Sequence, residues 1–331
     1  MLKLTSNHAV LIANLGTPKS CSVQDVKIYL TEFLNDPYVV TLPYFLRYIL
    51  VNMLIIPFRS KNSAEAYSKI WKDRGSPLLY ISEDFTKNIQ QIFEKQNSNS
   101  NIKYQAFLAM RYGKPSLQNT LEKILKQNFD EITVVPMYPQ YADSATKTVI
   151  NKIKEITKNN PKIKFIEDFY NKDFYINSSS QLIKKELAKH NINNINSDAH
   201  ILYSFHGIPK NTNYCEENRL CYKAQCKITA ELISKNLNIE PENYTVAFQS
   251  RLGKAEWIKP YLIDILNEVK QSTYKNKKLI IASPGFTVDC LETLEEIDMQ
   301  MREIIPNFIK IPCLNDNLNW CNAFAQYIIK N

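Results

Sequence analysis

Glycine is scarce in this 331-residue chain, which has only six, and the nucleotide-binding loops that glycine builds are missing with it. The first strand-like run is followed by NLGTPKS, not by GxGxxG, and no GxxxxGK[ST] occurs, so dinucleotide and P-loop nucleotide binding are disfavoured. There are four histidines and no HExxH or paired-His motif, which argues against a permanent zinc-hydrolase centre. Basic residues never run to five in a row. The formal charge of +8 and pI of about 8.9 favour acidic partners, but the scatter of that charge over solvated helix faces speaks against nucleic acid. Seven cysteines, odd in number and irregularly spaced, do not form a secreted disulfide framework and fit a reducing cytosol. The N-terminus has no apolar core ahead of a small-residue cleavage site, so no signal peptide is expected. The most apolar stretch, Tyr38 to Phe58, is cut by Pro43, Arg47 and Pro57 and leaves 13 residues between the prolines, where a spanning helix needs about 20. A buried helix is the expectation there, with an interfacial patch as the alternative.

What the chain does contain is alternation. Strand-like runs fall at Ala9–Asn14, Tyr104–Ala109, Ile132–Met137 and Ile163–Asp168, and again at His200–Phe205, Tyr244–Gln249, Leu279–Ser283 and Phe308–Pro312. Helical patterns lie between them, including 23–34, 81–95, 117–127, 146–157, 175–189, 224–237, 255–270, 291–304 and 317–329. Alternating elements imply right-handed crossovers and parallel sheets covered on both faces. The fold class expected is α/β, with two doubly wound Rossmann-like domains, each a four-stranded parallel sheet flanked by helices. Residues 1–168 with 305–331 make the first domain, the last helix returning to it, and 169–304 make the second. Four of the six glycines occur as Gly-x-Pro, at Gly16, Gly75, Gly113 and Gly207, and predict rigid loops beside strands or between helices.

The second domain concentrates the chemistry. The run ILYSFHGIP delivers His206 to a turn at the carboxyl end of a strand, where open α/β sheets gather reactive groups. His200 lies on the same strand, but six extended residues hold the two imidazoles about 20 Å apart. After Leu279–Ser283 comes SPGFTVDCLETLEEIDMQ, in which Asp289, Glu292 and Glu296 share one stripe about 60° wide on a 3.6-residue helix. Acid at a helix N-terminus complements the macrodipole, but Glu296 lies too deep for that, and a stripe of like charges there needs solvent, a cation or protons. Imidazole with carboxylate suits a transition metal such as Fe(II) or a proton relay.

Together NLGTP (Asn14–Pro18), GSPL (Gly75–Leu78), YPQY (Tyr138–Tyr141), SFHGIP (Ser204–Pro209), FQSRLG (Phe248–Gly253) and DCLETLEEID (Asp289–Asp298) resemble the ferrochelatases, bacterial type, in order and over nearly the whole chain. The resemblance implies a class II chelatase-like lyase with a porphyrin cleft between its two domains. Such an enzyme inserts Fe(II) into protoporphyrin IX, with release of two protons, to give protohaem at the final step of haem biosynthesis. By motif it places His206 and Glu292 at the metal insertion site, as catalytic and metal-binding residues, with Glu296 also catalytic. Asp289 and Glu296 continue an acidic track for iron delivery or proton exit. Leu15, Arg111, Tyr112 and Trp257 match porphyrin-binding positions. The family is also associated with bending of the macrocycle, which would spend binding energy on distortion.

The same resemblance implies no permanent cofactor. A [2Fe-2S] cluster is not expected: the C-terminus offers only Cys313 and Cys321, Asp143 stands where cluster-bearing relatives have a ligand, and Cys215, Cys221 and Cys226 lack a fourth. Leu15, where coproporphyrin III enzymes tend to carry tyrosine, tilts the substrate to protoporphyrin IX. The alternatives are a coproporphyrin III ferrochelatase, a cobalt or nickel chelatase of another tetrapyrrole, and a non-catalytic porphyrin-binding protein. The segment Leu42–Phe58 matches a family lip. A cytoplasmic enzyme, peripheral to the inner membrane through transient surface contact, is therefore the expectation.

Overall fold

The computed structural model describes residues 6–98, 101–251, 255–268 and 277–331. Its contacts divide the chain into two units, Met1–Asp168 with Asp316–Asn331, and Phe169–Asn315. The first unit runs β1 (Ser6–Thr17), α1 (Val23–Leu34), α2 (Tyr44–Ile49), a π-helical turn (Leu50–Ile55), α3 (Ile56–Ile70), α4 (Pro77–Asn97) and β2 (Ile102–Gly113). It continues with α5 (Leu117–Lys126), β3 (Glu131–Pro136), a second π-helical turn (Asp143–Lys147), α6 (Thr148–Thr157) and β4 (Ile163–Phe165). The second unit runs α7 (Asp173–Lys189), α8 (Ile195–Asp198), β5 (Ala199–His206), α9 (Tyr222–Asn236), β6 (Tyr244–Gln249), α10 (Leu262–Glu268), β7 (Lys278–Ala282), a π-helix (Glu292–Gln300), α11 (Met301–Ile304) and β8 (Ile309–Lys310). The final helix, α12 (Leu318–Lys330), returns to the first unit, where Trp320 and Phe324 pack on Phe85 of α4.

Both sheets are parallel and share one order: β2-β1-β3-β4 in the first unit and β6-β5-β7-β8 in the second. Their central strands read as continuous apolar runs because helices cover both faces; Ala9–Ala13 and Ile201–Phe205 are buried without a break. In each unit the chain leaves the first strand for one neighbour and then crosses to the other side. The carboxyl ends of β1 and β3, and of β5 and β7, therefore flank a topological switch point. All eight expected strands are present.

The unit boundary departs from expectation. Residues 305–315 belong to the second unit and not to the first, because β8 completes the second sheet by pairing with β7 and Asn315 donates its backbone N–H to Thr287 O at 2.8 Å. The helix expected over 255–270 is shorter, Leu262–Glu268, with residues 269–270 outside the described residues. So are Leu252 and Gly253 of the FQSRLG motif.

The apolar stretch from Leu42 to Phe58 is not the buried helix that composition favours. Val51 and Ile56 anchor it, but Tyr44 is 72 % exposed, Phe45 70 %, Met53 64 % and Phe58 77 %. The six-residue α2, the π-helical turn and the start of α3 carry more large apolar side chains than the first unit's core takes up. The result is a run of exposed apolar side chains within 17 residues, from Leu42 to Phe58, a concentration that monomeric surfaces rarely carry without a use.

Candidate active site

At the switch point of the second unit, β5 ends in His206, aligned in register with Gln249 at the end of β6. The Gly207 that follows is required by close approach: a Cβ there would sit 2.8 Å from Gln249 O and 3.3 Å from the Trp257 ring. Trp257, half-buried, thus packs on the backbone of the His206 turn and is bridged to Pro209. The imidazole is half-buried, and its Nδ1 lies 2.5 Å from Gly207 O. A carbonyl oxygen can only accept, so Nδ1 is the donor in this contact and Nε2 is the ring nitrogen it leaves for other partners. Tyr222 of α9 steadies the same turn, its hydroxyl donating to His206 O at 3.0 Å.

Two consecutive residues at the end of β6 tie this turn to the acidic segment. Gln249, buried, accepts from Ser204 Oγ at 2.6 Å and donates Nε2 to the Glu292 carbonyl at 3.3 Å. Ser250 donates its hydroxyl to Glu296 Oε2. Its φ of 60° places a non-glycine residue in the left-handed region, a conformation that a surrounding structure must hold. His206, Glu292 and Glu296 are thereby linked through the end of one strand. Gln249 and Ser250 were not singled out from the sequence; their only signal was the FQS that closes β6.

The carboxylate stripe does not survive as a 3.6-residue ladder. Residues 292–300 form a π-helix, and Asp289 precedes it. Asp289 is 5 % exposed and accepts from Thr293 Oγ1 (2.7 Å), Lys310 Nζ (2.8 Å), Asn315 Nδ2 (2.8 Å) and Cys313 N (3.2 Å). Burial alone would raise its pKa, but the Lys310 ammonium and these hydrogen bonds outweigh it and hold the carboxyl below its ordinary range. Both oxygens are filled by the protein, so Asp289 does not continue the acidic track. Glu295 is also buried and accepts from Gln300, and Asp298 pairs with Arg302 at 2.8 Å. Glu292 and Glu296 are both half-buried; the end of β6 reaches Glu292 at its backbone carbonyl and Glu296 at its carboxylate.

In the first unit, Leu15 is half-buried at the end of β1. Gly16 beside it has φ 111°, and a Cβ there would overlap the Tyr112 carbonyl at 1.7 Å. Arg111 pairs with Asp36 through Nη2 and donates Nε to Thr148 O at 3.1 Å, its side chain only 14 % exposed. Tyr112 is fully buried and donates its hydroxyl to Asp36 at 3.0 Å, so it has no surface to offer a porphyrin. The expectation for Tyr112 is corrected on that ground: it props the Asp36–Arg111 pair from inside the unit.

Of the cysteines, Cys215 is exposed, Cys221 half-buried and Cys226 buried, where desolvation pushes its thiol well above the ordinary range. Among the described residues no three His, Cys, Asp or Glu side chains gather as a metal-holding group, and no helix is long and apolar enough to cross a membrane.

A ferrochelatase family model matches residues 7–331. The chain belongs to the ferrochelatase family. Curated relatives named ferrochelatase include one from Legionella pneumophila (strain Lens), 38 % identical over 97 % of this chain and 98 % of its own. Another, from Pseudomonas syringae pv. syringae, is 37 % identical over 97 % of each chain. Ferrochelatases are lyases that insert a metal into porphyrin, in haem biosynthesis. Solved structures with the same fold include SirB from Bacillus subtilis with Fe3+, at TM-score 0.53 and 12 % identity over 98 % of this chain and 95 % of that one. CbiX, described as the terminal enzyme for siroheme biosynthesis in denitrifying bacteria, aligns at TM-score 0.52 and 9 % identity over 98 % of both chains.

Proposed function

We propose that this ferrochelatase inserts Fe(II) into protoporphyrin IX, with His206 taking pyrrole protons at Nε2 and Glu292 offering the metal a carboxylate. The observation that carries this is the link through Gln249, which joins the strand of the imidazole to the backbone of Glu292. Metallation removes two N–H protons as iron exchanges its first ligands for four ring nitrogens. An imidazole base held through its other nitrogen and a weak, exchangeable oxygen donor meet those two needs. Glu296, held by Ser250, is the next carboxylate for protons or iron. Trp257, against the Gly207 turn, is proposed as a porphyrin contact, and Leu15 as a second. Arg111 stands as a propionate partner only if it divides its guanidinium with Asp36.

We also propose that the exposed Leu42–Phe58 patch rests on a bilayer surface, which suits apolar substrates and products. Anaerobic mixing of the pure protein with Fe(II) and protoporphyrin IX, followed by absorbance, tests the reaction. Formation of protohaem, abolished by His206→Ala, supports the reading. Faster turnover of coproporphyrin III, or preference for cobalt or nickel with another tetrapyrrole, would replace the substrate; porphyrin binding with no turnover of any metal would replace the activity.

A further inference from the structure

We propose that Thr293, through Asp289 and Lys310, is a positioning residue that fixes where Glu292 stands. The proposal rests on the reading of Glu292 as a reacting group. Glu292 occupies the first position of the π-helix, within the first helical turn, where backbone N–H groups lack intrahelical partners. Yet the backbone on either side is held. Thr293, fully buried, donates its hydroxyl to Asp289 Oδ1 at 2.7 Å and accepts from Cys290 N at 3.0 Å, which closes the chain into a short loop with Glu292 pendant from it. Asp289 is in turn immobilised by Lys310 Nζ at 2.8 Å, Asn315 Nδ2 at 2.8 Å and Cys313 N at 3.2 Å, so the loop is bolted to β8 and the residues after it. The Asp289 and Lys310 side chains are 7 % and 9 % exposed. A buried polar network that is fully satisfied specifies one arrangement, and here that arrangement carries the carboxylate of Glu292. Nothing in this network needs to touch substrate for the rate to depend on it, because a displacement of about 1 Å at a reacting group can cost on the order of 100-fold.

The decisive variant is Thr293→Val, which keeps the branched shape and deletes the hydroxyl, with Thr293→Ser as the conservative rescue. For Fe(II) insertion into protoporphyrin IX, Thr293→Val is expected to lower kcat by about 10- to 100-fold, with the porphyrin KM within about twofold. Thr293→Ser should stay near the starting rate. Combining Thr293→Val with Glu292→Gln should give no more loss than Glu292→Gln alone, since a carboxyl already replaced cannot be misplaced. Wild-type kcat in Thr293→Val, full additivity in the double variant, or a KM that rises in step with the loss would each overturn the proposal. An inert Glu292→Gln would instead overturn the reading of Glu292 beneath it, and the two failures are told apart by that single variant. Lys310→Met with Asp289→Asn removes both charges of the bolt together. The proposal expects the same kcat-weighted loss from that pair, and an unchanged kcat in the folded double variant would count against it.

Discussion

The two sheets share one strand order, yet the charged groups near their two switch points are employed differently. In the first unit, Arg111 on β2 spends its guanidinium on Asp36 and on a helix carbonyl, with Tyr112 sealing the pair from below. In the second, the end of β5 engages only Nδ1 of His206, while at the end of β6 Gln249 reaches the Glu292 carbonyl and Ser250 the Glu296 carboxylate. Topology sets where reactive groups can gather; the residues at the strand ends decide whether a charge is locked to a buried partner or left half-buried at the edge of the sheet.

That contrast predicts opposite phenotypes. The largest expected effect is on rate: His206→Ala should lower haem formation by about 100- to 10,000-fold in an anaerobic absorbance assay, with little change in the denaturant midpoint. A normal rate would remove the imidazole from the chemistry. Asp36→Asn should do the reverse. It leaves the Arg111 charge without its buried partner and should cost about 3–5 kcal/mol in urea unfolding. An unchanged midpoint would erase the difference between the two units.

A smaller effect is expected from pH. His200 is buried on β5 with Nε2 against Thr245 Oγ1 at 2.9 Å, and burial, then Lys277, lowers its pKa from 6.5 to about 4. Between those values the unfolded chain binds the proton that the native protein refuses. The His200 contribution to stability is therefore intact above pH 6.5 and is lost progressively as pH falls towards 4. Thermal unfolding should show this slope, and His200→Gln should flatten it; an identical profile in the variant would rule it out. The smallest effect on turnover is expected from Phe45→Asp with Phe58→Asp, both on exposed positions: association with phospholipid vesicles should fall, while kcat in solution stays within about twofold. Undiminished vesicle binding would assign the patch another purpose.

Much of this was legible beforehand because it rests on local pattern. Eight apolar runs, two of them the near-continuous blocks AVLIA and ILYSF, marked out both sheets, and the Gly-x-Pro turn after β5 marked His206. What escaped was long-range. The partner of Asp289 is Lys310, 21 positions away on a two-residue strand, and a 3.6-residue projection cannot show that the intervening helix is π. Tyr112 was assigned to the porphyrin by its match to a family position, which carries no information on burial, and its hydroxyl turns inward to an aspartate 76 positions earlier. The segment from Leu42 to Phe58 read as core because composition reports how apolar a helix is and not how much of it the rest of the chain can cover.

The left-handed backbone at Ser250 has a consequence for which substitutions a genetic screen would recover. Glycine adopts that geometry freely and asparagine more readily than most, so selection for soluble expression alone should enrich those two at this codon. Selection for growth on endogenous haem would add the demand for a short donor reaching Glu296, and serine, with asparagine as its nearest mimic, should displace glycine. Sequencing the two surviving pools would separate what the bend requires from what the carboxylate requires.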